Sequence, residues 1–143
     1  MDLLMDRNIG FKERRYIEEL RILTKSTALD CIIDDRFDRV LYVIKRGDMG
    51  LAIGKKGENI RRLQNVLGKR VEMVEHAETL EEFIRNIFRP AEVSGMVRLD
   101  DQSVNVIVAR RSELGIAIGK GGSTIEKARV LTRRFFHTDV NEI

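Results

Sequence analysis

The chain has 143 residues, of which 43% are hydrophobic and 34% charged, and a formal net charge of +3; this is the make-up of a soluble globular protein, either one ordinary domain or two very small ones. A single cysteine, Cys31, and two histidines exclude an intramolecular disulfide framework and a closed zinc site built from Cys and His alone. The first residues are charged from Asp2 onward and no run of about eighteen uncharged apolar residues occurs, so the expectation is a cytoplasmic protein with no export signal, membrane span or membrane partner.

Taken in chain order, Tyr16, Ile17, Leu20 and Leu23 share one face across Lys12–Leu23, which predicts a helix. Leu29–Ile33 and Val40–Ile44 are rich in β-branched residues and flank the polar stretch from Asp34 to Asp38, the pattern of two strands and a turn. Asp48 is placed to cap a short helix that stops at Gly54. A second helix starts after Gly57, turns Ile60, Leu63, Val66 and Leu67 inward, and ends at Gly68. Arg70–Glu75 alternates charged with apolar residues and is predicted as a third strand. The order then recurs. Thr79 and Glu82 make a capping-box pair ahead of Leu80, Phe83, Ile84 and Ile87, and Pro90 stops that helix. Val93–Leu99 and Val104–Ala109 repeat the strand pair, a short helix runs to Gly119, and Thr124–Arg134 with a strand over Phe135–Val140 completes the unit. The predicted class is α+β, with helix, strand, strand, helix, helix, strand occurring twice.

An internal repeat explains the recurrence. Val43–Ile60 aligns with Val108–Ile125 at a constant offset of 65 residues, with identities that include Val43/Val108, Arg46/Arg111, Gly50/Gly115, Ala52/Ala117, Ile53/Ile118, Gly54/Gly119, Lys55/Lys120, Gly57/Gly122 and Ile60/Ile125. Two copies of one module put the boundary near His76–Thr79 and give domains over residues 1–76 and 77–143. Charge follows the repeat. Lys45 to Arg70 nets +6 and Arg110 to Arg134 nets +5, which leaves −8 for the rest of the chain. Two basic surfaces on a chain that is otherwise acidic suit an anionic polymer.

The chemistry sits in the glycine loops. An Ile-Gly-x-x-Gly stretch between two short helices turns sharply, because glycine adopts positive φ and has no Cβ to hold a ligand away. The following helix then offers backbone N–H groups and its positive dipole end, and Lys55, Lys56 and Lys120 add charge over that anion site. A nucleotide-binding phosphate loop is excluded: Gly50 to Gly54 and Gly115 to Gly119 enclose three residues where four are needed, and neither lysine precedes Ser or Thr. A dinucleotide fingerprint is excluded too, since Lys56 stands at the third position of the first copy and Thr124 at the sixth of the second. Cys31 lies in an apolar strand pattern and is expected to be a buried, inert thiol. His76 falls at the domain junction and His137 in the terminal strand, and neither has a Ser or Cys arrangement beside it. Asp34-Asp35 and Asp100-Asp101 occupy equivalent turns. No catalytic constellation, small-molecule substrate site or cofactor site is legible, and the expectation is a protein that is not an enzyme.

The segments from Gly50 to Gly57 and from Gly115 to Gly122 resemble the signature of KH domains, whose Gly-x-x-Gly loop clamps about four backbone nucleotides of RNA. A helix and two strands precede the helix-loop-helix, so the resemblance is to the type II arrangement with a three-stranded sheet in each domain. A tandem of two such units, with no amino-terminal polymerase-binding domain or oligonucleotide-fold barrel in the chain, resembles the KH pair of the NusA transcription factors and in particular their short archaeal members. The resemblance implies a protein that binds nascent single-stranded RNA and regulates transcription termination or antitermination. It implies RNA binding by Gly54, Lys55, Lys56 and Gly57 in the first domain and by Gly119, Lys120, Gly121 and Gly122 in the second. Gly50, Ile53, Gly115 and Ile118 would shape the groove floors, with Ile60 and Ile125 either floor or plain core. Arg61, Arg62, Lys127 and Arg129 are either flanking phosphate contacts or ordinary solvated helix faces. The second loop carries one lysine where the first has two, and is expected to contribute less electrostatic affinity. The other readings are a KH-fold interaction scaffold on RNA polymerase or ribosome, and an RNA binder in ribosome biology or RNA processing; retained lysines in both loops argue against the scaffold.

Overall fold

The computed structural model describes residues 9–100 and 102–143. The chain divides into two compact units, the first ending at His76 and the second beginning at Ala77.

In the first unit, α1 (Phe11–Thr24) buries Tyr16, Leu20 and Thr24 along one stripe and is closed by Lys25 in the left-handed conformation, φ 62°. It leads into β1 (Ala28–Asp34) and β2 (Arg39–Ile44), then the short α2 (Met49–Ile53), α3 (Glu58–Leu67) and β3 (Arg70–Glu75). The sheet order is β1-β2-β3. β1 runs antiparallel to β2, pairing Cys31 with Tyr42, and β3 runs parallel to β2, pairing Val40 with Val71. All six β2 residues are buried. Tyr16, Leu20, Cys31, Val40, Tyr42, Ile44, Ala52, Leu63 and Val71 form the core, so the inert-thiol expectation for Cys31 matches its burial. The Tyr42 hydroxyl donates to the Tyr16 carbonyl at 2.7 Å, and burial pushes its pKa well above the ordinary phenol value. Arg39, 2% exposed, is held by opposite charges: Nε donates to Asp34 at 2.8 Å, Nη1 to Glu72 at 3.3 Å, and the guanidinium lies 4.9 Å from the Phe37 ring centroid.

Val66 and Asp48 differ from their expected roles. Val66 is 55% exposed; Ile60, Leu63 and Leu67 make the inward stripe of α3, and Val66 stands on its flank. Asp48 precedes α2 but its side chain makes no cap hydrogen bond; its Oδ2 instead accepts from the Thr27 N–H at 2.8 Å, tying the start of α2 to the residue that precedes β1.

The second unit has α4 (Leu80–Phe88), β4 (Val93–Asp100), β5 (Ser103–Val108), α5 (Leu114–Ile118), α6 (Ser123–Phe136) and β6 (Asp139–Val140), with sheet order β4-β5-β6. The hydroxyl of Thr79 caps α4, accepting from the Glu82 N–H at 3.2 Å. β5 pairs antiparallel with β4 and parallel with β6. Thus each unit has the predicted α+β order. The predicted strand over Phe135–Val140 shrinks to two residues. Phe135 and Phe136 continue α6, because there both rings reach within 5.5 Å of the Phe83 ring of α4. His137 is the left-handed cap of α6, φ 51°, and is not a strand residue.

The repeat is also less regular than one constant offset. Lys45 N–H donates to Thr27 O at 2.8 Å, and Ala109 N–H makes the same bond to Glu92 O at 2.8 Å. Val108 therefore occupies the place of Ile44, not Val43, and one residue is inserted before the second short helix. Beyond the insertion Asp48 and Glu113 come back into step: Glu113 Oε1 accepts from the Glu92 N–H at 3.2 Å, as Asp48 does from Thr27.

Candidate nucleic-acid interface

The glycine loops join a five-residue helix to a longer one in each unit, α2 to α3 and α5 to α6. In the first, Gly54 (φ 77°, ψ 170°) ends α2 with its N–H on Gly50 O at 2.9 Å, Lys56 (φ 56°, ψ 26°) and Gly57 (φ 76°, ψ 16°) make the turn, and Gly57 N–H closes it on Gly54 O at 3.1 Å. In the second, Gly119 (φ 80°, ψ 163°), Gly121 (φ 64°, ψ 18°) and Gly122 (φ 83°, ψ 17°) repeat those angles, with the two closing bonds at 2.9 and 3.0 Å. Two different sequences thus reach one backbone shape.

The first glycine of each loop is dictated twice over. Its φ and ψ lie in a region open essentially to glycine alone. A Cβ on Gly54 would also lie 2.7 Å from Asn59 Cγ and 2.9 Å from its backbone nitrogen; on Gly119 it would lie 2.6 Å from the Thr124 nitrogen. This close approach packs the loop onto the first turn of the next helix. Asn59 Nδ2 reinforces it by donating to Leu51 O at 2.8 Å. α3 and α6 follow directly, with ten and fourteen residues, and present their N-terminal dipoles at the loops. Lys55, Lys56 and Lys120 are exposed on the loops. Over Gly50 and Gly115 the surface is open, with nothing within 4 Å of an added Cβ. Ile53 is half-buried and Ile118 is 44% exposed.

One pair of residues here escapes the sequence reading. Leu51 and Ile116, equivalent in the repeat, are 51% and 48% exposed on the short helices beside the loops. The repeat itself was the available signal, since both copies place a large aliphatic residue between the glycine and the buried alanine. Each loop therefore combines lysine charge with an exposed aliphatic surface, a pairing suited to a polymer with anionic backbone and apolar bases.

The four flanking cations separate. Arg61 Nη1 donates to the Lys56 carbonyl at 2.7 Å. Arg62 is exposed and pairs with Glu58 at 3.1 Å. Lys127 and Arg129 do not present the open cations that the helix position suggests: Lys127 is 9% exposed, and Arg129 donates from Nε to Val140 O at 2.9 Å and from Nη2 to Asn141 O at 2.8 Å. Those bonds hold the carboxy-terminal strand against α6, so Arg129 has a structural role. Ile60 and Ile125 are half-buried, and Ile60 packs on the core of the first unit. Among the described residues no group of three or more His, Cys, Asp or Glu is placed to hold a metal ion, and no helix is long and apolar enough to cross a membrane.

Each unit therefore consists of a three-stranded sheet, with helices and a Gly-x-x-Gly turn in the order of a type II KH domain. The KH-domain family model matches the chain twice, at residues 13–80 and 79–142. The chain is 38% identical over 131 residues to the "Probable transcription termination protein NusA" of Halococcus morrhuae, covering 90% of this chain and 92% of that protein. It is 39% identical over 127 residues to the protein of the same name from Halobacterium salinarum, covering 88% and 90%. Among solved structures, the crystal structure of APE1850 matches with a TM-score of 0.82 and 32% identity, over 94% of this chain and all of that one. The chain belongs to the KH-domain family and, within it, to the NusA-like proteins with two KH domains in tandem.

Proposed function

We propose that the protein is a non-enzymatic binder of single-stranded RNA that acts on nascent transcripts in transcription termination or antitermination. The observation that carries this reading is the pair of glycine loops. Gly54 to Gly57 and Gly119 to Gly122 share one backbone shape although their inner residues differ, and each sets exposed lysine beside an exposed aliphatic residue at a helix N-terminus. RNA phosphates would run over Lys55, Lys56 and Lys120, with bases against Leu51, Ile53, Ile116 and Ile118. About four nucleotides fit one KH groove, so one strand engaging both loops would span about eight. The names of the relatives favour transcription termination, and RNA polymerase is the proposed protein partner.

The test is the affinity of short fluorescent single-stranded RNAs at two salt concentrations, for the wild type and for a variant carrying Lys55→Asp, Lys56→Asp and Lys120→Asp. The reading expects salt-dependent binding, from release of phosphate counterions, and its loss in a variant that stays folded. No binding by the wild type across a random RNA pool would overturn it.

A further inference from the structure

Arg61 and Glu126 occupy the same position, the fourth residue of α3 and of α6, and carry opposite charges. Arg61 turns back over its loop: Nη1 lies 2.7 Å from the Lys56 carbonyl, and a Cβ added to Gly57 would sit 3.0 Å from that nitrogen. Glu126 places a carboxylate where the first unit has a guanidinium, and that carboxylate lies 3.7 Å from Arg129.

The residue that Arg61 grips is unusual. Lys56 is one of four non-glycine residues with positive φ among those described. A side chain there brings Cβ against the carbonyl oxygen and costs conformational energy that glycine avoids. The second loop makes the same turn with Gly121 at that place, so the turn does not require lysine. The first loop thus holds a strained lysine and a clamp on that lysine's carbonyl, whereas the second has glycine and an acidic residue.

We infer that Arg61 is a positioning residue, which fixes Lys56 in its strained conformation and so makes the first loop a rigid two-lysine phosphate clamp and the second the weaker partner. The inference rests on the RNA-binding reading of the loops and adds how the two sites divide the work. It separates Arg61 from a plain phosphate contact, because a positioning residue acts only through the residue it positions.

The experiment is a double-mutant cycle of Arg61→Met and Lys56→Gly, read by RNA affinity at several salt concentrations and by urea unfolding. Arg61→Met alone should weaken RNA binding about five-fold, as expected for one lost hydrogen bond, and should have almost no further effect in the Lys56→Gly background. Lys56→Gly alone should weaken binding, reduce the salt slope by about one phosphate contact, and raise the urea midpoint by relieving the strained turn. Equal losses from Arg61→Met in both backgrounds would make it a direct phosphate contact and overturn the inference alone. An unchanged or lower urea midpoint for Lys56→Gly would overturn it as well. Absence of RNA binding by the wild type would instead remove the reading of the loops on which it stands.

Discussion

Alanine at the two glycines of the first loop should have very different costs, although both have positive φ. At Gly57 (φ 76°, ψ 16°) the backbone is left-handed, which costs an L-residue about 1–2 kcal/mol. The neighbour closest to its added Cβ is the flexible end of Arg61, at 3.0 Å. At Gly54 the backbone lies where only glycine is comfortable, φ 77° and ψ 170°, for about 1–3 kcal/mol of strain. Its Cβ would further collide with Asn59, at 2.7 Å from Cγ and 2.9 Å from the main-chain nitrogen; forced repacking of that kind adds about 1–3 kcal/mol. Gly54→Ala should therefore cost about 2–6 kcal/mol against about 1–2 for Gly57→Ala, enough to unfold a marginal small domain. Urea unfolding followed by circular dichroism reads both. The same ordering should hold for Gly119→Ala over Gly122→Ala, where the nearest backbone atom stands at 2.6 Å from the first Cβ and only Ile125 Cγ2, at 3.8 Å, approaches the second. If Gly54→Ala cost no more than Gly57→Ala, the close packing of loop on helix would be wrong.

Other outcomes follow from the contacts. Asp48→Ala should lower stability by about 0.5–1.5 kcal/mol in urea unfolding, because the Thr27 N–H loses its carboxylate partner. Tyr42→Phe should cost about 1 kcal/mol by the same assay, through its buried bond to Tyr16 O. Arg129→Ala should loosen the carboxy-terminal strand, which hydrogen exchange would show as faster exchange at Asn141, whose amide bonds Val104 O. The β4–β5 turn should weaken in acid. The Gln102 N–H and then the Ser103 hydroxyl hold the Asp100 carboxyl below its ordinary value. Its contribution is therefore present above the ordinary carboxylate pKa and is lost as pH falls through the lowered one. Amide exchange at Gln102, corrected for intrinsic rates, should accelerate across that window in the wild type and change little in Asp100→Asn.

The repeated loops could be read from the sequence because their glycines answer to local geometry. Gly54, Gly57, Gly119 and Gly122 all have positive φ, and a turn between two helices leaves few residue types for such places. The strands could be read for a similar reason, since β-branched runs such as Val40–Ile44 carry their own signal. Long-range contacts set what the sequence concealed. Phe135 and Phe136 suit a strand as well as a helix, and contact with Phe83, some fifty residues earlier, favours the helix. Arg129 reads as a surface cation until β6 brings the carbonyls of Val140 and Asn141 to it. The slip between Ile44 and Val108 shows only in strand hydrogen bonds, because an insertion beside a strand leaves the apolar pattern intact.

The most direct measurement is a residue-resolved titration of the isotope-labelled protein with a short single-stranded RNA, followed by amide chemical shifts in NMR. The largest shifts should map to Gly54–Gly57 and Gly119–Gly122 and the first turns of α3 and α6, with the first loop saturating at lower RNA concentration. Shifts confined to the sheets or to α1 and α4, with both loops silent, would contradict RNA binding by the loops.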